Sequence, residues 1–549
     1  MSPHPFSPEG RRGALEALGS DRLDVLVVGG GITGAGVARD ATLRGWSVGL
    51  VEKEDFGFGT SGRSSKIVHG GVRYLEYGQV FLVRESARER KVLKRIAPHL
   101  VHPIPFLYPV FGSDSLWMIR AGLALFDVLA QSTPEERRRP LSPEEVRERL
   151  PGLRDPLKGG VLYLEYITDD ARLTMENALS AAEHGARVAN HARVSGLLRE
   201  DGRVVGAEVE DTLTGERIEA RARLVVNATG AWAPQVMESA DVPVPRRLRP
   251  SKGIHLLLDA DRLPIHGAAF LKASNGRRGL AMRRLDHVYV GTSDDDYPGS
   301  LDEPRATRAE VVELLAMVQD CFPGAGLGLD DVRATWAGVR PLIHQEGKTT
   351  RDTSRADEVW TGTPGLVTVA GGKLTTYRPM AHRVLEAAEK ALGRAPGPDR
   401  TAEVPLPGAA GEGDAPEPER LRAGRRDRLV ERGVAPEVVE RLTWLYGRQL
   451  EALLSLADDD PSWLEPLAPG VPALRGEARM AAEREMAGTL TDFMDRRAAL
   501  LLFAPGHGLA GAAPAAGILG DVLGWDAERR RREIADYHAF AAGHGVPAE

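Results

Sequence analysis

Gly29, Gly31 and Gly34 stand in the order G-x-G-x-x-G, and Glu52 follows 23 positions after the first of them. That combination suits one kind of chemistry, the binding of a dinucleotide. Gly29 permits a tight turn off a strand, Gly31 lets the backbone approach a pyrophosphate with no Cβ in the way, and Gly34 permits close helix–strand packing. A helix opening there presents unpaired N–H groups and the positive end of its dipole to the phosphates. A carboxylate at Glu52 accepts hydrogen bonds from the adenosine ribose. A second stretch follows within a few dozen residues, S-S-K-I-V-H-G-G-V-R-Y over 64–74, where Gly70-Gly71 sit among a lysine, a histidine and an arginine. On composition alone it is a glycine turn with scattered charge.

The elements that must position the fingerprint are readable around it. Asp24–Val28 (DVLVV) is a short apolar run, AGVARDATLRG is helix-compatible, and SVGLVE is a second apolar run ending at Glu52. Strand, turn, helix and strand make one βαβ unit of about 30 residues. The fingerprint does not separate FAD from NAD. Two distant segments favour a flavin: Arg223–Gly230 (RLVVNATG), an apolar strand ending in Asn-Ala-Thr-Gly, and Ala370–Thr376 (AGGKLTT), a Gly-Gly turn at a helix start. Both are placed to return backbone amides to one extended dinucleotide.

Further along, Thr168–Gly185 reads as a long helix, and ARVSGLLRE and RVVGAEVED flank Asp201-Gly202 as a hairpin. Several short strand candidates over 252–296 indicate a sheet-rich domain inserted in the first. Residues 393–418 are rich in Pro, Gly and acid, and read as a linker; from 419 onward the pattern is helical.

With 549 residues the chain requires more than one core. Its net charge of −7 argues against a nucleic-acid binder relying on a basic surface. The single cysteine, Cys321, excludes an intrachain disulfide and a cysteine-based zinc or iron–sulfur site, and fits a reducing compartment; no metal site is expected. The N-terminal residues lack the apolar core of a signal peptide, and no uninterrupted apolar run reaches spanning length. Leu116–Leu129 (LWMIRAGLALFDVL) is apolar but broken by Arg120 and Asp127; it reads first as a buried helix and second as an interfacial membrane contact.

In order along the chain, DVLVVGGGITGAGVARDATLRG, TSGRSSKIVHGGVRYLE, VNATGAW, WAGVRPL and GGKLTTYR resemble the FAD-dependent, quinone-linked glycerol-3-phosphate dehydrogenases. The resemblance covers about residues 22–392, and the helical tail, with TLTDFMDRRAALLLF, looks similar too. It implies an α/β fold: a discontinuous FAD-binding Rossmann-like domain over 22–392 with an inserted β-rich substrate domain including about 245–345. A linker over 393–418 and a C-terminal α-helical domain over 419–549 complete it. The implied reaction is oxidation of glycerol 3-phosphate to dihydroxyacetone phosphate by hydride transfer to FAD, with electrons passed to membrane quinone. The implied location is cytoplasmic, peripheral on the inner face of the membrane; a homodimer is compatible with it.

The same resemblance assigns residues. Arg73, Tyr74, His255, Arg340, Arg351 and Lys373 match positions that bind substrate, with His255, Arg340 and Lys373 nearest the chemistry and His255 the first choice for general base. Cofactor contacts are expected from Gly29, Gly31, Gly34, Glu52, Thr60, Ser64, Ser65, Lys66, Gly230, Gly372, Leu374 and Thr375. Lys66 and His69 suit a structural role equally well, holding the Gly70-Gly71 turn, and His69 lies between the two sets. Two departures stand out: Thr60-Ser61-Gly62 where the family more usually has Thr-Ser-Ser, and Arg283-Arg284 in place of a common Pro-Trp. The second puts the local shape of the substrate pocket in doubt. The competing readings are an oxidase that releases hydrogen peroxide, a flavin-binding sensor without turnover, and an amino-acid oxidase of the same fold. The number of cationic candidates suits a phosphate better than a carboxylate.

Overall fold

The structure, a computed structural model, describes residues 3–71, 78–112, 114–346, 356–411 and 415–548. Strand Leu23–Val28 sits mid-sheet, parallel to Val48–Val51 on one side and Arg217–Asn227 on the other. Arg187–Ala189 and Leu366–Gly371 extend the parallel order outward, and antiparallel Asp357–Trp360 closes one edge. The two residue runs expected as a hairpin, Ala192–Glu200 and Arg203–Asp211, pair antiparallel and continue onto Arg217–Asn227.

These central strands read as unbroken apolar runs because both faces of the sheet are covered. Val25, Val27, Leu50 and Val226 pack against Ala35, Ala38, Ala178 and Val384 of the helices Ile32–Leu43, Asp170–Glu183 and Tyr377–Leu392. On the opposite face Leu26, Val28 and Val225 meet Leu18, Ala207 and Val209.

A second, ten-stranded sheet carries the long antiparallel pair Leu248–Asp259 and Val332–Ile343. It extends beyond the segment expected at about 245–345. Ile67–Val68, His102–Phe111, Arg139–Leu141 and Leu157–Ile167 join the same sheet, through a parallel contact of Ala268 with Phe106. The strand His102–Phe111 (HPIPFLYPVF) escapes a periodicity reading because of its prolines. Pro103, Pro105 and Pro109 share parity, so their missing N–H groups fall on one edge, and the other edge is left to run a long ladder with Leu157–Ile167.

From Glu419 the chain is helical, with cores around Leu442, Leu453 and Leu474 and around Phe493, Leu501 and Leu519. The described residues of the connection over 393–418 are largely irregular yet fastened down: Arg39 donates to the carbonyls of Thr401 and Val404, and Leu406 N donates to Ile96 O at 2.8 Å.

Leu116–Leu129 is a helix, but the expectation that it is buried is overturned. Only Leu123, Phe126 and Asp127 are buried, whereas Trp117 is 80%, Met118 68% and Val128 73% exposed. Its inner side meets Val83 and Ala87 of the helix Val80–Ile96, whose start leaves Phe81 89% exposed. With 14 residues and only one side packed, the helix buries a stripe rather than its circumference. Among the described residues, no helix is long and apolar enough to cross a membrane.

Candidate active site

The C-terminal ends of four parallel strands open onto a cavity of about 660 Å³. Gly29, Gly31, Glu52, Gly230 and Gly371–Thr375 line it from the first sheet, and Tyr108, His255, Phe270 and Arg340 from the second. Ligands of open parallel sheets bind at this end of the strands. The helix Ile32–Leu43 begins at the cavity wall with no side-chain cap on Gly31, and Ile32 N donates to Ser61 Oγ at 2.9 Å. A Cβ on Gly34 would sit 1.9 Å from the carbonyl oxygen of Gly29, so the helix can approach the strand only there as glycine. A Cβ on Gly31 would meet Ser61 Oγ alone, at 3.2 Å, and would project into the cavity. Glu52 accepts from Gly30 N at 2.6 Å and from Glu54 N at 3.0 Å. Burial raises its pKa against the opposing pull of those two amides. A second helix start, Leu374–Thr376, reaches the same cavity from the far strand. Bare helix termini, close-approach glycine and a carboxylate at the strand end form a donor set that fits FAD.

At the second sheet, His255 lies flat on Trp336, its partner across the ladder, with ring centroids 4.6 Å apart and 9° between planes. Its Nε2 is 2.8 Å from Ser65 Oγ, while its buried Nδ1 has no hydrogen-bond partner among the described residues. On the other side stands Gly291, where a Cβ would come within 2.1 Å of the imidazole Cδ2. Burial, with Arg340 and Lys66 adding positive charge, pushes the His255 pKa well below 6.5. A neutral imidazole therefore faces the cavity at neutral pH and is ready to accept a proton. Arg340 donates to Thr292 Oγ1 at 2.9 Å and to Ser293 O at 3.3 Å, and pairs with Asp294 at 3.4 Å. These contacts aim its guanidinium along the same wall. Lys373 lines the opposite wall, immediately before the second helix start.

The family described as FAD dependent oxidoreductase matches residues 24–378, and the C-terminal domain of alpha-glycerophosphate oxidase matches residues 399–530. The aerobic glycerol-3-phosphate dehydrogenase of Bacillus subtilis is 36% identical over 511 residues, 92% of each chain. Glycerol-3-phosphate dehydrogenase 2 of Mycobacterium tuberculosis is 37% identical over 97% of this chain and 90% of its own. The crystal structure of the Bacillus halodurans glycerol-3-phosphate dehydrogenase complexed with FAD superposes with a TM-score of 0.83 at 31% identity, covering 99% of both chains. The chain belongs to the FAD-dependent glycerol-3-phosphate dehydrogenase family.

As a member of this family the protein is a flavoprotein with FAD as cofactor. Of the residues expected at the flavin, Thr60, Ser64, Ser65, Gly230, Gly372, Leu374 and Thr375 line the cavity. Gly34 and Lys66 are not among the lining residues: Gly34 packs the helix onto the strand, and the Lys66 ammonium is drawn back to Asp170 Oδ1 at 2.6 Å, with Ser64 Oγ on the other carboxylate oxygen at 2.7 Å. A buried cation is held where its counter-ion is, and Lys66 acts on the cavity through the turn it fixes. Arg284 likewise stays off the cavity; it donates to Asp169 at 3.0 Å beneath Phe503, whose helix belongs to the C-terminal domain. The Arg283-Arg284 departure thus adds an ion pair at a domain boundary, and neither arginine lines the cavity. His69 lines the cavity. Arg73, Tyr74 and Arg351 lie outside the described residues.

Several lining residues were not singled out from the sequence. Trp232 follows the Asn-Ala-Thr-Gly strand end and carries Lys53 Nζ 4.4 Å over its ring. Ala192–Ser195 line the cavity from the start of the hairpin, and Tyr108 stacks on Phe270 at 4.9 Å. VNATGAW contained the signal for Trp232; nothing local marks the hairpin residues, which reach the cavity through the sheet order.

Proposed function

We propose that this protein oxidises glycerol 3-phosphate at C2 to dihydroxyacetone phosphate and delivers the electrons to a membrane quinone. The observation that carries the reading is the buried His255 on the same cavity as Arg340, Lys373 and the dinucleotide cradle. FAD, when bound, supplies the hydride acceptor. The protein's own residues do the rest. Arg340 and Lys373 bind the substrate phosphate by charge-assisted hydrogen bonds. His255 takes the C2 hydroxyl proton as the C2 hydride departs, and the ketone results. Trp336 and Ser65 keep the imidazole in one orientation while this happens.

The membrane part of the reading is supported by the uncovered apolar side chains Phe81, Trp117, Met118 and Val128. Exposed Arg84, Arg88 and Arg120 lie among them, a composition that suits an anionic lipid surface. A second reading, transfer of electrons to oxygen with release of hydrogen peroxide, draws on the likeness of 399–530 to the oxidase C-terminal domain. Turnover with glycerol 3-phosphate and a short-chain quinone, with peroxide followed in parallel, tests the proposal. Substrate-dependent quinone reduction with little peroxide is the expected result; dominant peroxide would assign the oxidase, and no turnover with either acceptor would overturn both.

A further inference from the structure

The motif TLTDFMDRRAALLLF has no part in the chemistry above, yet it reaches the cradle. Its helical segment Asp492–Arg497 belongs to the C-terminal domain, and its two arginines close on one carboxylate of the FAD-binding domain. Arg497 grips Asp55 bidentately, with Nη1 at 2.6 Å and Nη2 at 2.8 Å, and donates through Nε to Glu485 O at 2.9 Å. Arg496 Nε donates to the same Asp55 at 2.7 Å and Nη2 to Asp492 at 2.7 Å. Asn190 adds a fourth bond to Asp55 at 2.9 Å. Asp55, Arg496 and Arg497 are all buried.

Asp55 stands three residues after Glu52 and opens the loop that lines the cavity through Phe58–Ser61. Gly57 N ties that loop back to Gly30 O, inside the glycine fingerprint, at 3.1 Å. The same C-terminal segment holds a second wall: Asp492 accepts from His191 Nε2 at 2.8 Å, and His191 precedes the lining residues Ala192–Ser195. Two stretches of the cradle, separated in sequence by more than a hundred residues, are thus fixed from outside by one turn of a different domain.

We propose that the Asp492–Arg497 turn is a positioning element for the flavin cradle, so that FAD affinity depends on the C-terminal domain being docked through Asp55 and His191. Arg496 and Arg497 are positioning residues that act through Asp55 and do not touch the cofactor. By linkage, FAD must in return stabilise the docking of that domain.

The test uses full-length protein stripped of FAD and titrated with FAD by flavin fluorescence. Arg497→Ala is expected to weaken FAD binding at least ten-fold and Arg496→Ala less. Arg497→Lys is expected to be intermediate, because an ammonium keeps the charge but not the two-point fork. The control is Arg425→Gln in the C-terminal domain, which breaks its buried pair with Glu417 of the connection; neither residue lines the cradle. It should lower the melting temperature while leaving the FAD Kd within two-fold. Hydrogen exchange in residues 485–498 of the wild type should slow on adding FAD. An FAD Kd within two-fold of wild type in folded Arg496→Ala and Arg497→Lys would overturn the proposal even if Arg497→Ala fails to fold. Exchange in that segment that ignores FAD would overturn it too.

Discussion

His255 Nε2 lies 2.8 Å from Ser65 Oγ, which brings the general-base candidate of the second sheet onto the polar turn that follows the glycine fingerprint. The imidazole is confined by Trp336 on one face and by Gly291 across the ladder. Orientation is thus built in before any substrate arrives, which is the condition under which a proton acceptor contributes most.

Replacing His255 by Gln should slow reduction of the bound flavin by about 10²–10⁴-fold, the usual share of a positioned acid or base. Ser65→Ala should cost less, since it removes only the orienting bond. Stopped-flow absorbance at saturating substrate reads both; equal rates in His255→Gln and wild type would remove the imidazole from the chemistry.

Because burial and the neighbouring cations lower the His255 pKa, the flavin-reduction rate should show no limb near pH 6.5. Stability carries the same signature with a definite sign. The folded state resists a proton that the unfolded imidazole accepts, so wild type loses stability as pH falls below about 6.5. Denaturant titrations at pH 7.5 and 5.5 should show a smaller loss in His255→Gln than in wild type; an identical loss would contradict the assignment.

Arg340→Ala should weaken substrate binding by roughly 1.5–3 kcal/mol, the range for a bond to a charged group, and leave FAD in place. Arg340→Lys should recover part of it, since the contacts to Thr292 and Asp294 that aim the guanidinium suit a fork rather than a point. Unchanged binding in the alanine variant would take Arg340 out of the phosphate site.

Two glycine substitutions should separate cofactor from catalysis. Gly31→Val puts bulk into the cradle and should yield folded protein without flavin. Gly291→Ala places a Cβ against the His255 ring and should keep the flavin but slow its reduction. Flavin content by absorbance, beside the reduction rate, distinguishes them; matching defects in both variants would sink the division.

Phe81→Ser with Trp117→Ser should cut binding to anionic phospholipid vesicles about ten-fold while leaving reduction of the flavin by substrate intact. Cosedimentation measures it. Undiminished binding would move the lipid contact elsewhere on the surface.

Much of the cradle was legible because its requirements are local: a strand, three glycines, a helix and an acid at fixed spacing. His255, Arg340 and Lys373 entered through family motifs, and their convergence on one cavity depends on strand order that no local pattern states. For Lys66 the sequence shows a lysine beside a glycine turn but not the buried Asp170 across from it. Leu116–Leu129 was read as buried from its apolarity, although it packs only its inner side, against the helix Val80–Ile96 and the second sheet. The strand His102–Phe111 was hidden by prolines whose shared parity keeps their missing N–H groups off the edge that pairs with Leu157–Ile167. Composition marked 393–418 as a linker, whereas Arg39 and Glu176 hold it against the FAD-binding domain.

The central claim is that one cavity holds both FAD and glycerol 3-phosphate with C2 ready to give up its hydride. Anaerobic addition of glycerol 3-phosphate to the purified flavoprotein, followed by absorbance, tests it most directly. The account predicts bleaching of the oxidised flavin band in step with formation of dihydroxyacetone phosphate, one per flavin. A flavin that stays bound and oxidised at saturating glycerol 3-phosphate would contradict it.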